Sequence, residues 1–115
     1  MDISKYTKQK GLFLSAELVK KNPVALWLVC GESELIINKF GTERLHIPIR
    51  YGEDEYTLDS NKSNARVIEK KLGPNTKNWI GSGLKLDTYR TKTTEGKDTQ
   101  AIDIKEVFTN KEISN

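Results

Sequence analysis

The sequence predicts a mainly β protein: a small, partly open barrel of five strands with one helix between the third and fourth. Three observations carry this. Stretches of alternating polar and apolar residues recur along the chain, separated by turns containing Gly, Pro or Asn. A single well-marked helix, Asn61–Leu72, stands between β-rich stretches, with Ala65, Ile68 and Leu72 at the i, i+3, i+7 spacing of one buried face. At 115 residues, 36% hydrophobic and 30% charged, the chain suits one modest soluble core and is too short for two.

Residues 1–10 are polar and lysine-rich and are expected to form a flexible arm ahead of a domain spanning 11–109. Ser15–Val19 fits a helical turn or a short strand, and Asn22-Pro23 ends it. The run VALWLVC, Val24–Cys30, is apolar on both faces and predicts a buried strand. Gly31 interrupts it before Leu35-Ile36-Ile37 resumes, so a long first strand bent at the glycine is expected to serve both halves of the barrel.

Glu43–Arg50 is the cleanest alternation, with Leu45, Ile47 and Ile49 on one face and Arg44, His46, Pro48 and Arg50 on the other. Pro48 has no N–H to give a ladder, which places that part of the backbone at an edge or bulge. Tyr51–Asp54 predicts a hairpin turn, and Glu55–Leu58 a third strand. Ser60 or Asn61 caps the helix, Gly73 and Pro74 end it, and Trp79 is assigned to the core beside it. Leu84–Thr91 and Gln100–Phe108 give strands four and five around a turn at Thr94–Asp98. Residues 110–115 read as a polar tail. Strand, strand, strand, helix, strand, strand is the order of the OB-fold, a small barrel that binds oligonucleotides or oligosaccharides; an SH3-like or split barrel is the alternative.

The run LDSNKSNARVIEKKLGPNTKNWIGSGLKL resembles a pattern recurring in small phage, archaeal-virus and archaeal proteins. In those, a strand is followed by an Asn-x-x-Asn helix, a glycine, a polar Asn-Thr loop and Trp-Ile-Gly entering a further strand. The matching positions are Asn61, Asn64, Ile68, Leu72, Gly73, Asn75, Thr76, Trp79, Ile80, Gly81 and Leu84. The likeness covers Val24–Phe108 in layout and Asn61–Leu86 at the level of the motif. It implies an OB-fold-like protein similar to single-stranded-DNA-binding proteins, and it carries no catalytic residue over to this chain.

Composition bears on function in the same direction. From Asn61 to Lys92 there are eight cations against two acids, a local +6 in a chain whose net charge is +3, so the remainder carries −3. Such clustering is a footprint for an anionic ligand, although any single lysine is more often a solvated surface group. No catalytic constellation assembles: His46 has no partner in view, and Cys30 lies in an apolar run. Cys30 and His46 cannot build a zinc site, and Glu53–Glu55 reads as a solvated hairpin lacking further ligands. Gly81-Ser82-Gly83 lacks the Gly-Lys-Ser/Thr ending of a phosphate loop and leads into a strand. The expectation is therefore a non-enzymatic protein without cofactor or metal. One cysteine, no signal peptide and no apolar run near membrane-spanning length suggest a cytoplasmic setting, the host cytoplasm if the protein is viral.

Single-strand binders combine a cationic groove with aromatic platforms, since every phosphate offers a charge and every base a π-face. On the OB-fold plan the groove is floored by strands two and three and walled by the loops after strands one and four. That plan selects Lys39 and Phe40 in the first loop, then Arg44, His46 and Arg50 on the floor, with Tyr51 at the strand's end. Lys85, Tyr89 and Arg90 are selected on strand four, and Lys92 and Lys97 in the second loop. The expected partner is single-stranded DNA or RNA, with a homo-oligomer and replication or recombination proteins as further partners. A protein–protein adaptor on the same barrel is the rival, and a metal-dependent nuclease using Glu53–Asp54–Glu55 a more distant one.

Overall fold

A computed structural model describes residues 12–93 and 95–114; the expected arm at 1–10 lies outside the described residues. The strands are β1 (Trp27–Val29), β2 (Glu34–Ile37), β3 (Glu43–Tyr51), β4 (Asp54–Ser60), β5 (Gly83–Lys92) and β6 (Asp98–Phe108). Among the described residues three helices accompany them, α1 (Ala16–Lys21), α2 (Lys62–Leu72) and α3 (Asn110–Ser114), with a 3-10 turn at Thr76–Trp79. All six strands belong to one antiparallel sheet. β3 is its hub: β4 pairs along one edge, and the other edge is shared by β2 and β1. β1 passes the sheet on to β5 and β6.

The mainly β class is as the sequence predicts; the partly open barrel of five strands, with one long bent first strand, gives way to six strands in an open sheet. Leu28 pairs with Arg50 and Glu34 with His46, so the strand gains two residues across the interruption at Gly31. That insertion splits one predicted strand into β1 and β2 and raises the count from five to six. Gly31 eases the close approach there, because a Cβ would lie 3.2 Å from the Pro48 ring, tighter than an ordinary contact. Pro48 sits inside the sheet, facing this break: its carbonyl accepts from Cys30 N at 2.9 Å, and its missing N–H points toward the same gap.

The sheet is not closed into a barrel, and α2 explains why. Asn64, one turn into the helix and almost wholly buried, donates Nδ2–H to the Ile102 carbonyl at 3.0 Å. Its Oδ1 accepts the Ile104 N–H at 3.2 Å. One carboxamide thus satisfies the β6 backbone where a pairing strand would otherwise lie. Asn61 does the neighbouring job, its Oδ1 capping the helix through Asn64 N at 2.9 Å. Gly73 ends α2 at φ 89°, and its carbonyl accepts from Trp79 Nε1 at 2.9 Å, which seats the indole.

The core joins Trp27 and Val29 of β1 to Ile47 and Ile49 of β3 and Leu58 of β4. Ile68, Trp79, Leu84, Leu86 and Ile104 complete its centre. α1 adds Val19, its first turn capped by Ser15 Oγ accepting from Leu18 N. Leu12–Leu14 run parallel to β4 and cover part of its outer edge, with Leu14 N donating to Thr57 O and Thr57 N to Leu12 O.

More helix is present than the single one predicted. The expected polar tail forms α3 on a reciprocal capping box: Thr109 N donates to Glu112 Oε1 at 2.9 Å, and Glu112 N to Thr109 Oγ1 at 3.1 Å. Lys71 of α2 lies 3.2 Å from Glu112 and ties the two helices together. Gly83 makes room for this docking, since a Cβ there would meet Leu26 at 2.8 Å and Ile113 at 2.9 Å. Gly81 takes φ +90° to turn the chain into β5. The Gly-Ser-Gly run is therefore a packing device.

Candidate nucleic-acid interface

Alternation along β3 buries Ile47 and Ile49 and turns Arg44, His46 and Arg50 to the outer face of the sheet. The register then sets Asp59 of β4 directly opposite His46. Arg44 Nε donates to Asp59 Oδ1 at 3.0 Å, and its Nη2 to the Asp59 carbonyl at 3.3 Å. His46 Nε2 lies 3.4 Å from the same carboxylate oxygen. Phe13 stands edge-on to the imidazole, with ring centroids 5.2 Å apart. The Arg44 guanidinium and the His46 imidazole therefore share one acid. Both partners are partly in water, where such pairs contribute only about 0.2–1 kcal/mol, so a phosphate oxygen competes for the guanidinium at small cost. Arg50, further along, donates Nη1–H to the Gly52 carbonyl at 3.1 Å.

Beyond the N-terminal end of β3, Asn38 builds the hairpin turn, its Oδ1 accepting from Phe40 N at 2.9 Å and Thr42 N at 3.0 Å. Phe40 does not fold back to seal the sheet. It is 78% exposed, with Lys39 Nζ 5.2 Å from the ring centroid. Where β4 and β6 fail to meet, a cavity of about 310 Å³ opens between them. Arg44, Asp59, Asn61, Tyr89 and Gln100 are among the side chains that line it. Tyr89 is 43% exposed, leaving much of its ring open to a ligand.

The structure brings Arg44 and Tyr89 to one cavity, joins His46 to Arg44 through Asp59, and sets Lys39 with Phe40 at a hairpin tip. Other sequence-selected residues lie apart. Tyr51 packs its ring 5.3 Å from Trp27, on the core side of β3. Lys85 lines a separate cavity beside Lys20, Pro23 and Lys105. Arg90 points to the opposite side of β5 from Tyr89, as alternation requires. Lys92 ends β5, and Lys97 lies 4.0 Å from Glu95 in the β5–β6 hairpin. Phe13, Asp59 and Gln100 stand at the site without a place in the groove that the sequence suggests. Asp59 follows from strand register and Phe13 from a parallel bridge, neither of which has a local sequence signal.

Burial pushes the Cys30 thiol above its ordinary range, and the nearby Glu55 carboxylate adds to this against Arg50. Such a thiol is a poor nucleophile. Among the described residues, no three His, Cys, Asp or Glu side chains are grouped to hold a metal ion. No helix among them is long and apolar enough to cross a membrane. Comparison with family models, curated protein sequences and solved structures gives no match.

Proposed function

We propose that this chain binds single-stranded nucleic acid, tolerantly of sequence, along the outer face of β3 and β4 between the Phe40 hairpin and the Tyr89 cavity. On this reading the sheet is an OB-type barrel left open between β4 and β6, and the protein serves replication, recombination or repair. The connectivity supports that plan: one bent strand (β1 with β2) feeds both the β3–β4 meander and the β5–β6 hairpin, and a helix follows the meander. The observation that carries the functional reading is that Arg44 and Tyr89, from opposite halves of the chain, open on one polar cavity. A guanidinium for phosphate beside an aromatic ring for a base is the minimum a single-strand site requires.

Fluorescence-anisotropy titration with a labelled oligonucleotide and its duplex tests this. Preference for the single strand is expected, with a salt slope of about −2 in log K against log salt for three phosphate contacts. Phe40→Ala and Tyr89→Ala should each weaken binding by about 5-fold or more, as loss of a stacking platform does. Absence of binding to either form at low salt contradicts the proposal. It would favour the adaptor reading, for which the exposed Leu35 and Ile37 of β2 speak.

A further inference from the structure

β2 is an edge strand with its apolar side chains in water: Leu35 is 61% and Ile37 67% exposed, on the same face of the hairpin. We propose that β2 is a homodimer edge, joining its copy in a second chain antiparallel about a two-fold axis through Ile36. This rests on backbone chemistry and does not depend on nucleic-acid binding.

Hydrogen-bond phase comes first. Glu34, Ile36 and Asn38 turn their backbone groups toward β3, as the Asn38 N to Thr42 O bond of 2.9 Å fixes. In an antiparallel ladder the intervening residues turn theirs the other way. The N–H and C=O groups of Leu35 and Ile37 therefore face outward. In the preceding strand β1, Val29 points to that side and is satisfied, its N–H by Ser82 O and its carbonyl by Gly81 N–H, each at 2.8 Å. Among the described residues, β2 pairs with β3 alone. An open, apolar edge of this kind is a template for another strand.

Register identifies that strand as a second copy. A two-fold centred on Leu35 sets Glu34 against Ile36, and one centred on Ile37 sets Leu35 against Lys39. Centred on Ile36, Leu35 faces Ile37 on both sides of the axis, Ile36 faces itself and Glu34 faces Asn38. Four aliphatic side chains then cluster on one face, and no two like charges oppose each other. Four residues a side fall well below the roughly 20–30 of a standard interface, so the dimer is reversible and of micromolar or weaker affinity.

The test uses the full chain in a Cys30→Ala background, so that an introduced thiol is the only one. Ile36→Cys places the two thiols in a non-hydrogen-bonded pair, where Cα atoms are about 4.5 Å apart and a disulfide closes. Leu35→Cys separates the thiols by two positions along the strand. On mild oxidation the first should cross-link at least about 10-fold faster than the second. Separately, Ile36→Lys and Ile36→Glu should each sediment as monomers and dimerise when mixed, with circular dichroism confirming that both are folded. Equal cross-linking of the two cysteine variants, or a wild-type chain that sediments as a monomer up to about 1 mM, would overturn the proposal. A monomer that acquires a foreign strand at β2 would likewise reject self-pairing.

Discussion

Replacing Asn64 by leucine keeps the volume of the side chain and removes both of its hydrogen bonds to β6. The Ile104 N–H and the Ile102 carbonyl then lose their partner inside the fold, with no strand of the sheet on that edge to replace it. A buried backbone group left unpaired costs about 1–3 kcal/mol, so two of them, offset by the amide no longer desolvated, give a loss of about 2–4 kcal/mol. For a domain of this size that corresponds to a fall in Tm of roughly 10–15 °C. Urea unfolding should show a lower midpoint with an unchanged m-value, since the surface exposed on unfolding stays the same. Amide exchange at Ile104 should accelerate beyond the global loss of stability, because its own hydrogen bond is gone. Asn61→Ala is the control: it removes only the cap, costs about 1 kcal/mol and leaves Ile104 protected in proportion to overall stability. A loss under about 1 kcal/mol for Asn64→Leu, with Ile104 still protected, would refute the claim that this carboxamide stands in for a strand.

Gly83→Ala should displace α3 and cost about 1–3 kcal/mol, read by urea unfolding, because its Cβ has no space between Leu26 and Ile113. Ser33→Ala should be neutral or slightly stabilising on the same assay, since the buried Ser33 hydroxyl has no hydrogen-bond partner among the described residues. Asp59→Asn should tighten single-strand binding several-fold in the anisotropy assay, by removing the carboxylate that Arg44 and His46 share. The Glu112 carboxyl is held below its ordinary value of 4.5 by the Thr109 backbone N–H first and Lys71 next. A depressed carboxylate stabilises above its unfolded value and ceases to as pH falls through its folded one. Amides of α3 should therefore lose protection below about pH 4.5, and Glu112→Gln should abolish that dependence.

Much of the architecture is legible in local sequence, because it is local chemistry. The alternation of Glu43–Arg50 gives β3, the Asn61 cap and Gly73 stop give α2, and the glycine at 31 gives the bend in the first strand. Closure is not legible. It depends on whether β6 finds a strand or a carboxamide, and the Asn-x-x-Asn motif marks Asn64 without telling that its side chain pairs with β6. α3 does have a signal, the Thr109-x-x-Glu112 capping box, which is easily passed over in a lysine- and asparagine-rich tail. The candidate site divides in the same way. Arg44 and His46 follow from strand period, and Phe40 from its place beside a turn glycine. Asp59, which engages both side chains, depends on a register that only the folded sheet defines. Tyr51 shows the limit of distance along the chain: one residue from Arg50, it belongs to the opposite face and packs on Trp27.

The most direct test of single-strand binding by the β3–β4 face is a map of amide chemical shifts in the labelled protein as an unlabelled single-stranded oligonucleotide is added. Perturbations concentrated at Phe40, Arg44, His46, Asp59 and Tyr89, and lost in high salt, are the result expected from this geometry. An unchanged spectrum at low salt, or shifts confined to the Lys20–Lys85–Lys105 side of the sheet, would contradict it.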